Sequence, residues 1–169
     1  HMVLDGIYYK DAINRHRPHP NEVWIRRILH SYQAAGISFV RDGGDAFGAC
    51  RLAAKLAPEY GIDYRTPIFP IHRIGHYGSF IGRGFSDLAQ YRQLLQEAVR
   101  EGADFIKIMI SGLMDFAQFG VLTDTPLEAW ELRDRIAVAH DLGLAVMAHA
   151  NGADGVRAAL LGGVDSVEH

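Results

Sequence analysis

A lysine interrupts an otherwise apolar run, Phe105-Ile106-Lys107-Ile108-Met109-Ile110. A strand buried on both faces carries apolar side chains, and an ammonium placed there loses its hydration, so such a lysine is paired, chemically modified or catalytic. Two more strand-like segments end in histidine, Ala145-Val146-Met147-Ala148-His149 and Asp165-Ser166-Val167-Glu168-His169. Alternation puts Phe105, Lys107 and Met109 on one face, Ala145, Met147 and His149 on another, and Val167 with His169 on a third. If those faces share an interior, three nitrogen-bearing groups converge as a metal site. Neutral imidazoles are ordinary ligands of zinc, whereas an ammonium is not. Lys107 must then lose its charge or invert it, and carbamylation by carbon dioxide inverts it, giving an anionic carboxylate able to bridge two ions.

The elements that must position these groups recur as a unit: an amphipathic helix, a glycine, then a short β-rich run. The glycines are Gly36 before Ile37–Arg41, Gly61 before Tyr64–Ile71, Gly102 before Phe105–Ile110, Gly143 before Leu144–Ala148, and Gly163 before Val164–Val167. Glycine suits the left-handed position that closes a helix. Helices are expected at Asn21–Ala35, Ala46–Tyr60, Asp87–Glu101, Pro126–Leu142 and Ala153–Leu161, with Ser86 capping the third. Thr125-Pro126-Leu127-Glu128 reads as a capping box with proline at the first helical position. Strands alternating with helices argue for a parallel α/β sheet covered by helices. The long links all follow strand carboxyl ends, at Asp42–Asp45, His72–Phe85, Ser111–Thr125 and Asn151–Gly152. In barrels and open α/β sheets that is the face where active sites lie.

Composition narrows the class of function. The 169 residues are 49% hydrophobic and 22% charged, enough apolar material for one core. A net charge of −3 offers no basic field for a nucleic-acid backbone. No apolar stretch is long enough to span a bilayer. One cysteine, Cys50, excludes an internal disulfide, and with no signal-peptide pattern the expected location is cytoplasmic.

The runs Gly102–Met109, Val146–Gly152 and Gly163–His169 resemble strands four, five and six of the amidohydrolase superfamily, most closely its prolidase-like and imidazolonepropionase-related members. Gly36–Gly44 is similar to the second-strand motif of the same group. The resemblance implies a (β/α)8 TIM-type barrel, here incomplete, with residues 1–169 as one barrel segment lacking the first part of strand one and strands seven and eight. It implies a metal-dependent hydrolase of C–N bonds in amides, peptides or cyclic amides, using one or two divalent ions, zinc by default. Lys107 would be the carbamylated bridging ligand, and His149 and His169 would bind the second ion. The family's first strand carries a His-x-His pair, and His1 is either its second member or a cloning remnant. The aspartate that follows the eighth strand in the family has no counterpart, so the isolated chain is expected to have weak activity or none. Open barrel edges leave room for a homo-oligomer or a completing segment.

Other residues bear on substrate. His76 and Tyr77 lie in the long loop after the third strand, where the family places a substrate-contacting histidine, and His72 is expected in the same loop. Asn151 directly follows His149, where it either meets a small amide or dipeptide-like substrate or caps the next helix. Asp42 is expected to pair with Arg41 or cap its loop, and His140 suits a helix carboxyl end. The apolar stretch Met114–Phe119 suggests a lid or pocket wall. Two other functions stay open: a lysine Schiff-base aldolase or dehydratase acting through Lys107, and a non-catalytic barrel fragment.

Overall fold

The computed structural model describes residues 1–4 and 7–168. Its helices are α1 (Tyr9–His16), α2 (Glu22–Ala34), α3 (Ala49–Leu56), α4 (Leu88–Glu101), α5 (Ala129–Asp141) and α6 (Gly152–Gly162), with a 3-10 turn at Ala57–Tyr60 after α3. The strands are β1 (Phe39–Arg41), β2 (Asp63–Arg65), β3 (Pro70–Arg73), β4 (Arg83–Phe85), β5 (Ile106–Met109), β6 (Val146–His149) and β7 (Ser166–Glu168). All named pairings are parallel: β1 with β2, and a five-stranded sheet in the order β4-β3-β5-β6-β7. The expected α/β architecture and the order of its five later helices are present.

Each of the five junction glycines has positive φ, from 69° to 90°. At Gly102 this conformation lets its N–H and that of Ala103 bond back to Val99 and Ala98, so α4 closes in one residue and the chain turns into β5. Caps at the other helix ends sit slightly off their expected places. Asp87, one residue after Ser86, accepts from the Gln90 N–H at 2.8 Å. Helix α5 begins at Ala129, not Pro126, and its capping box is formed by Glu128 and Glu131. The Leu127 N–H donates to the Ile110 carbonyl at 2.8 Å, which pins this segment to the end of β5 and delays the helix.

Two expectations about the third strand are corrected. The single strand Tyr64–Ile71 is broken into β2 and β3, because Pro67 has no N–H for a ladder and Ile68 takes a left-handed backbone, φ 67°. The break has a use: the Ile68 carbonyl, displaced from the ladder, accepts from the Asp45 N–H at 2.9 Å and the Cys50 thiol at 2.9 Å. His72 lies inside β3 and is buried, not in the following loop. Helix α1 had no expected counterpart; its short, polar sequence buries only Ala12, Ile13 and His16.

The two faces of the main sheet differ. Ile106, Ile108, Ile110, Val146 and Ala148 pack against Tyr91 and Leu95 of α4, Leu132 and Ile136 of α5, and Ala159 of α6. Lys107, Met109, Met147 and His149 are buried on the opposite, interior face. A second apolar cluster joins α2 and α3 to Val40 and Tyr64. Helices α5 and α6 approach closely at Gly162, where an added Cβ would lie 2.7 Å from Leu132 Cβ and 3.2 Å from Ile136 Cδ1. Gly162→Ala is therefore expected to lower stability by about 1–3 kcal/mol in a denaturant melt. An unchanged midpoint would show that α5 and α6 can separate without cost.

Candidate active site

Register brings the expected residues of β5 and β6 together. Lys107 pairs with Met147 and Met109 with His149, so Lys107 and His149 lie on the same interior face two register positions apart. Both are only 3% exposed. Burial pulls the Lys107 amine down to about 8, with Glu168 and Asp42 favouring the charged form and Arg41 opposing it. Glu168 is itself held by Arg41 at 2.6 Å, an ion pair that links the carboxyl ends of β1 and β7. Arg41 therefore pairs with Glu168 and not with its neighbour Asp42. Asp42 is buried and takes the expected loop-capping role, accepting from the Gly44 N–H at 2.8 Å and from the Met2 N–H.

The third strand end is arranged differently from the expectation. His149 pairs with Glu168 and Ala148 with Val167. Val167 accordingly packs with the helix-side cluster, and Ser166 and Glu168 are the β7 residues on the Lys107 face. His169, expected as a metal ligand, lies outside the described residues. His1 is placed near the loop after β1, its Nδ1 2.6 Å from the Gly44 carbonyl and its amino group 3.0 Å from Asp42. Among the described residues, no three histidine, cysteine or carboxylate side chains form a group able to hold a metal ion.

His149 is fixed on several sides. Its Nε2 lies 3.3 Å from the Gly112 carbonyl and 3.2 Å from Asn151 Nδ2, which also donates to Gly112 at 3.1 Å. The Asn151 N–H donates to Ser111 Oγ at 2.7 Å. Asn151 is the N-cap residue of α6, yet its side chain makes no capping bond and turns to His149 instead. Over the imidazole lies Tyr77, stacked at 5.0 Å with the rings 25° apart.

Tyr77 is held in turn by Asp124, whose Oδ2 accepts from the Tyr77 N–H at 2.8 Å and lies 3.1 Å from His76 Nδ1. His76 therefore supports Tyr77 from behind. Beyond Tyr77 opens a cavity of about 390 Å³ lined by His1, Leu4, Tyr9, Ile13, Tyr77, Phe80, Ile81 and Leu113. The expected wall from Met114–Phe119 is absent from this lining. Met114 bridges to Leu122 in an antiparallel turn, and Phe116 and Phe119 face solvent. His72 is close to the site but engaged locally, its Nδ1 2.9 Å from the Arg73 carbonyl. His140 serves structure as expected, 2.9 Å from Asp165 at the end of α5.

Sequence reading passed over Glu168, Ser111, Gly112, Asp124, Phe80 and Tyr9. Of these, Glu168 carried a usable signal, a charged residue in a strand beside a candidate ligand. The others are placed by loops whose path no periodicity reveals.

No protein-family model matches the chain, and no curated protein matches it. Solved structures do. A Xaa-Pro dipeptidase with methionine bound in its active site is similar with a TM-score of 0.68 and 22% identity, over 88% of this chain and 41% of that one. An amidohydrolase gives 0.69 and 21%, over 100% and 46%. The A. niger ochratoxinase gives 0.69 and 19%, over 99% and 45%. The chain thus has the fold of part of an amidohydrolase-type barrel and spans less than half of each of these proteins. Among the described residues, no helix is long and apolar enough to cross a membrane.

The Asp124 contact makes the Tyr77 stack testable. Asp124→Ala should cost about 1–3 kcal/mol in a thermal or denaturant melt, since it leaves a half-buried N–H unpaired. The ring-current shift on the His149 imidazole protons should also collapse in an NMR spectrum. A His149 spectrum that does not change would mean that Tyr77 is positioned without Asp124.

Proposed function

We propose that this chain is part of an amidohydrolase-type enzyme, a metal-dependent hydrolase of C–N bonds in small amide, peptide or cyclic amide substrates. The observation that carries the reading is the buried Lys107 amine of β5 on one interior face with His149, which ends β6, in a parallel sheet whose fold is that of amidohydrolase structures. A lysine held near pKa 8 is substantially neutral in mildly alkaline solution. Its lone pair can add to carbon dioxide, forming an N–C bond and releasing one proton, and the resulting carbamate is an oxygen ligand.

A carbamate oxygen and a neutral imidazole nitrogen suit a zinc-like divalent ion, so Lys107 and His149 fit such a group, and His169 and His1 are the further candidates. A bound ion of this kind lowers the pKa of water to give hydroxide near neutral pH and polarises the carbonyl under attack. The chain's own residues prepare that chemistry. Tyr77 covers one face of the His149 ring and excludes water from it, while Asn151 and the Gly112 carbonyl hold its Nε2 side. Outer contacts of this sort orient a ligand and raise its affinity. Substrate would approach over Tyr77 and Asn151, with His76 bracing the former through Asp124.

Elemental analysis by plasma mass spectrometry, paired with native intact mass for bound carbon dioxide, tests this. Near-stoichiometric divalent metal is expected, and Lys107→Ala and His149→Asn should each abolish it. Asn151→Ala should weaken metal affinity by about 10–100-fold. Metal content indifferent to both ligand substitutions would sink the assignment. Trapping of a carbonyl compound on Lys107 by borohydride would instead point to Schiff-base chemistry.

A further inference from the structure

The cavity beyond Tyr77, the ring that stacks on His149, has a composition that selects among the substrates a C–N hydrolase could take. Its lining carries three aromatic rings, Tyr9, Tyr77 and Phe80, with the aliphatic side chains Leu4, Ile13, Ile81 and Leu113. Among the described residues that line it there is no carboxylate, guanidinium or lysine side chain. The one imidazole among those described residues is His1, whose Nδ1 lies 2.6 Å from the Gly44 carbonyl. A charged substrate group entering here would lose hydration without gaining a counter-ion.

Shape points the same way. Tyr77 meets Phe80 edge to face at 5.4 Å, and Phe80 meets Tyr9 edge to face at 6.0 Å. These rings form a continuous aromatic wall that runs from α1 to the imidazole of His149 through Tyr77. The described residues leave the wall partly open: Tyr9 and Phe80 are 46% and 39% exposed. A dry apolar cavity of roughly 150 Å³ already accepts benzene. A cavity of about 390 Å³ has room for a ring and the atoms that tether it.

We propose that the Tyr9–Tyr77–Phe80 cavity binds an uncharged aryl group of the substrate, placing the attached amide bond toward His149. The proposal rests on the hydrolase reading for the bond that is cleaved, and on the cavity alone for the aryl group. Tyr77 is then shared by the two, one face toward the His149 ring and its edge toward the substrate. Helix α1 contributes Tyr9 and Ile13 and so takes part in specificity, although no chemistry falls on it.

The test is a ligand titration that needs no metal and no turnover. The purified chain is titrated with N-acetyl-L-phenylalaninamide, N-acetyl-L-cyclohexylalaninamide and N-acetyl-L-alaninamide, followed by NMR shifts of the tyrosine and phenylalanine rings. The phenylalanine amide is expected to bind at least about tenfold tighter than the alanine amide, and several-fold tighter than its saturated analogue. Leu113→Trp, which fills the cavity from its rim, and Phe80→Ala, which removes part of the wall, should each erase that preference. Both positions are partly exposed, and circular dichroism of the two variants checks that they fold. Equal affinity for the three amides, or a preference that survives both substitutions, overturns the proposal. Aryl preference without metal binding would sink only the hydrolase reading. Metal binding and amide hydrolysis without aryl preference would sink only the cavity assignment.

Discussion

The structure depends on one costly placement, an amine buried in the middle of β5. Desolvation alone disfavours the ammonium there, and the nearby charges do not simply restore it, since Glu168 is already engaged by Arg41. What makes the placement tolerable is the division of the sheet into two faces. The isoleucines that alternate with Lys107 pack under α4 and α5 and supply the apolar burial that holds the strand. The interior face is left to carry Lys107, Met109, Met147 and His149, two of them polar, without the sheet's stability resting on those groups.

The loops at the strand carboxyl ends then convert that face into a site. Three of them meet around His149: the segment after β3 brings Tyr77, the segment after β5 brings Ser111, Gly112 and Asp124, and the segment after β6 brings Asn151. Asp124 connects the first two, so a change in either loop reaches the imidazole. The same logic applies after β1. The left-handed Ile68 offers its carbonyl to the Asp45 N–H and the Cys50 thiol, while the Asp45 carboxylate takes three N–H groups at the start of α3. Strain at one residue is offset by a buried, fully bonded carboxylate.

Much of this was legible in the chain itself, for reasons that differ between elements. The helix-to-strand junctions could be read because each needs a left-handed residue, a local demand that glycine meets, and all five glycines satisfy it. The outer and inner faces of β5 and β6 followed from period-two alternation, which put Lys107 with Met109 and Met147 with His149. The last strand could not be read the same way. Val167 and Glu168 differ in face by one residue, and only the pairing of His149 with Glu168 decides which side points inward. The aromatic cavity was illegible because its walls come from α1, the loop after β3 and the loop after β5, segments distant in sequence and brought together only by the fold.

That origin separates the two parts of the site in kind. Lys107 and His149 sit on neighbouring strands, whose spacing is fixed by backbone hydrogen bonds and tolerates little variation. Tyr9, Phe80 and Leu113 sit on elements outside the ladder, where exchange of one apolar side chain for another disturbs no hydrogen bond of the sheet. A scaffold arranged in this way can keep one reaction while the group it recognises changes. Tyr77 is the exception, because it touches both the imidazole and the cavity wall. On the proposed reading its substitution alters reactivity and recognition together, so the boundary between what is chemically fixed and what can vary runs through a single phenol ring.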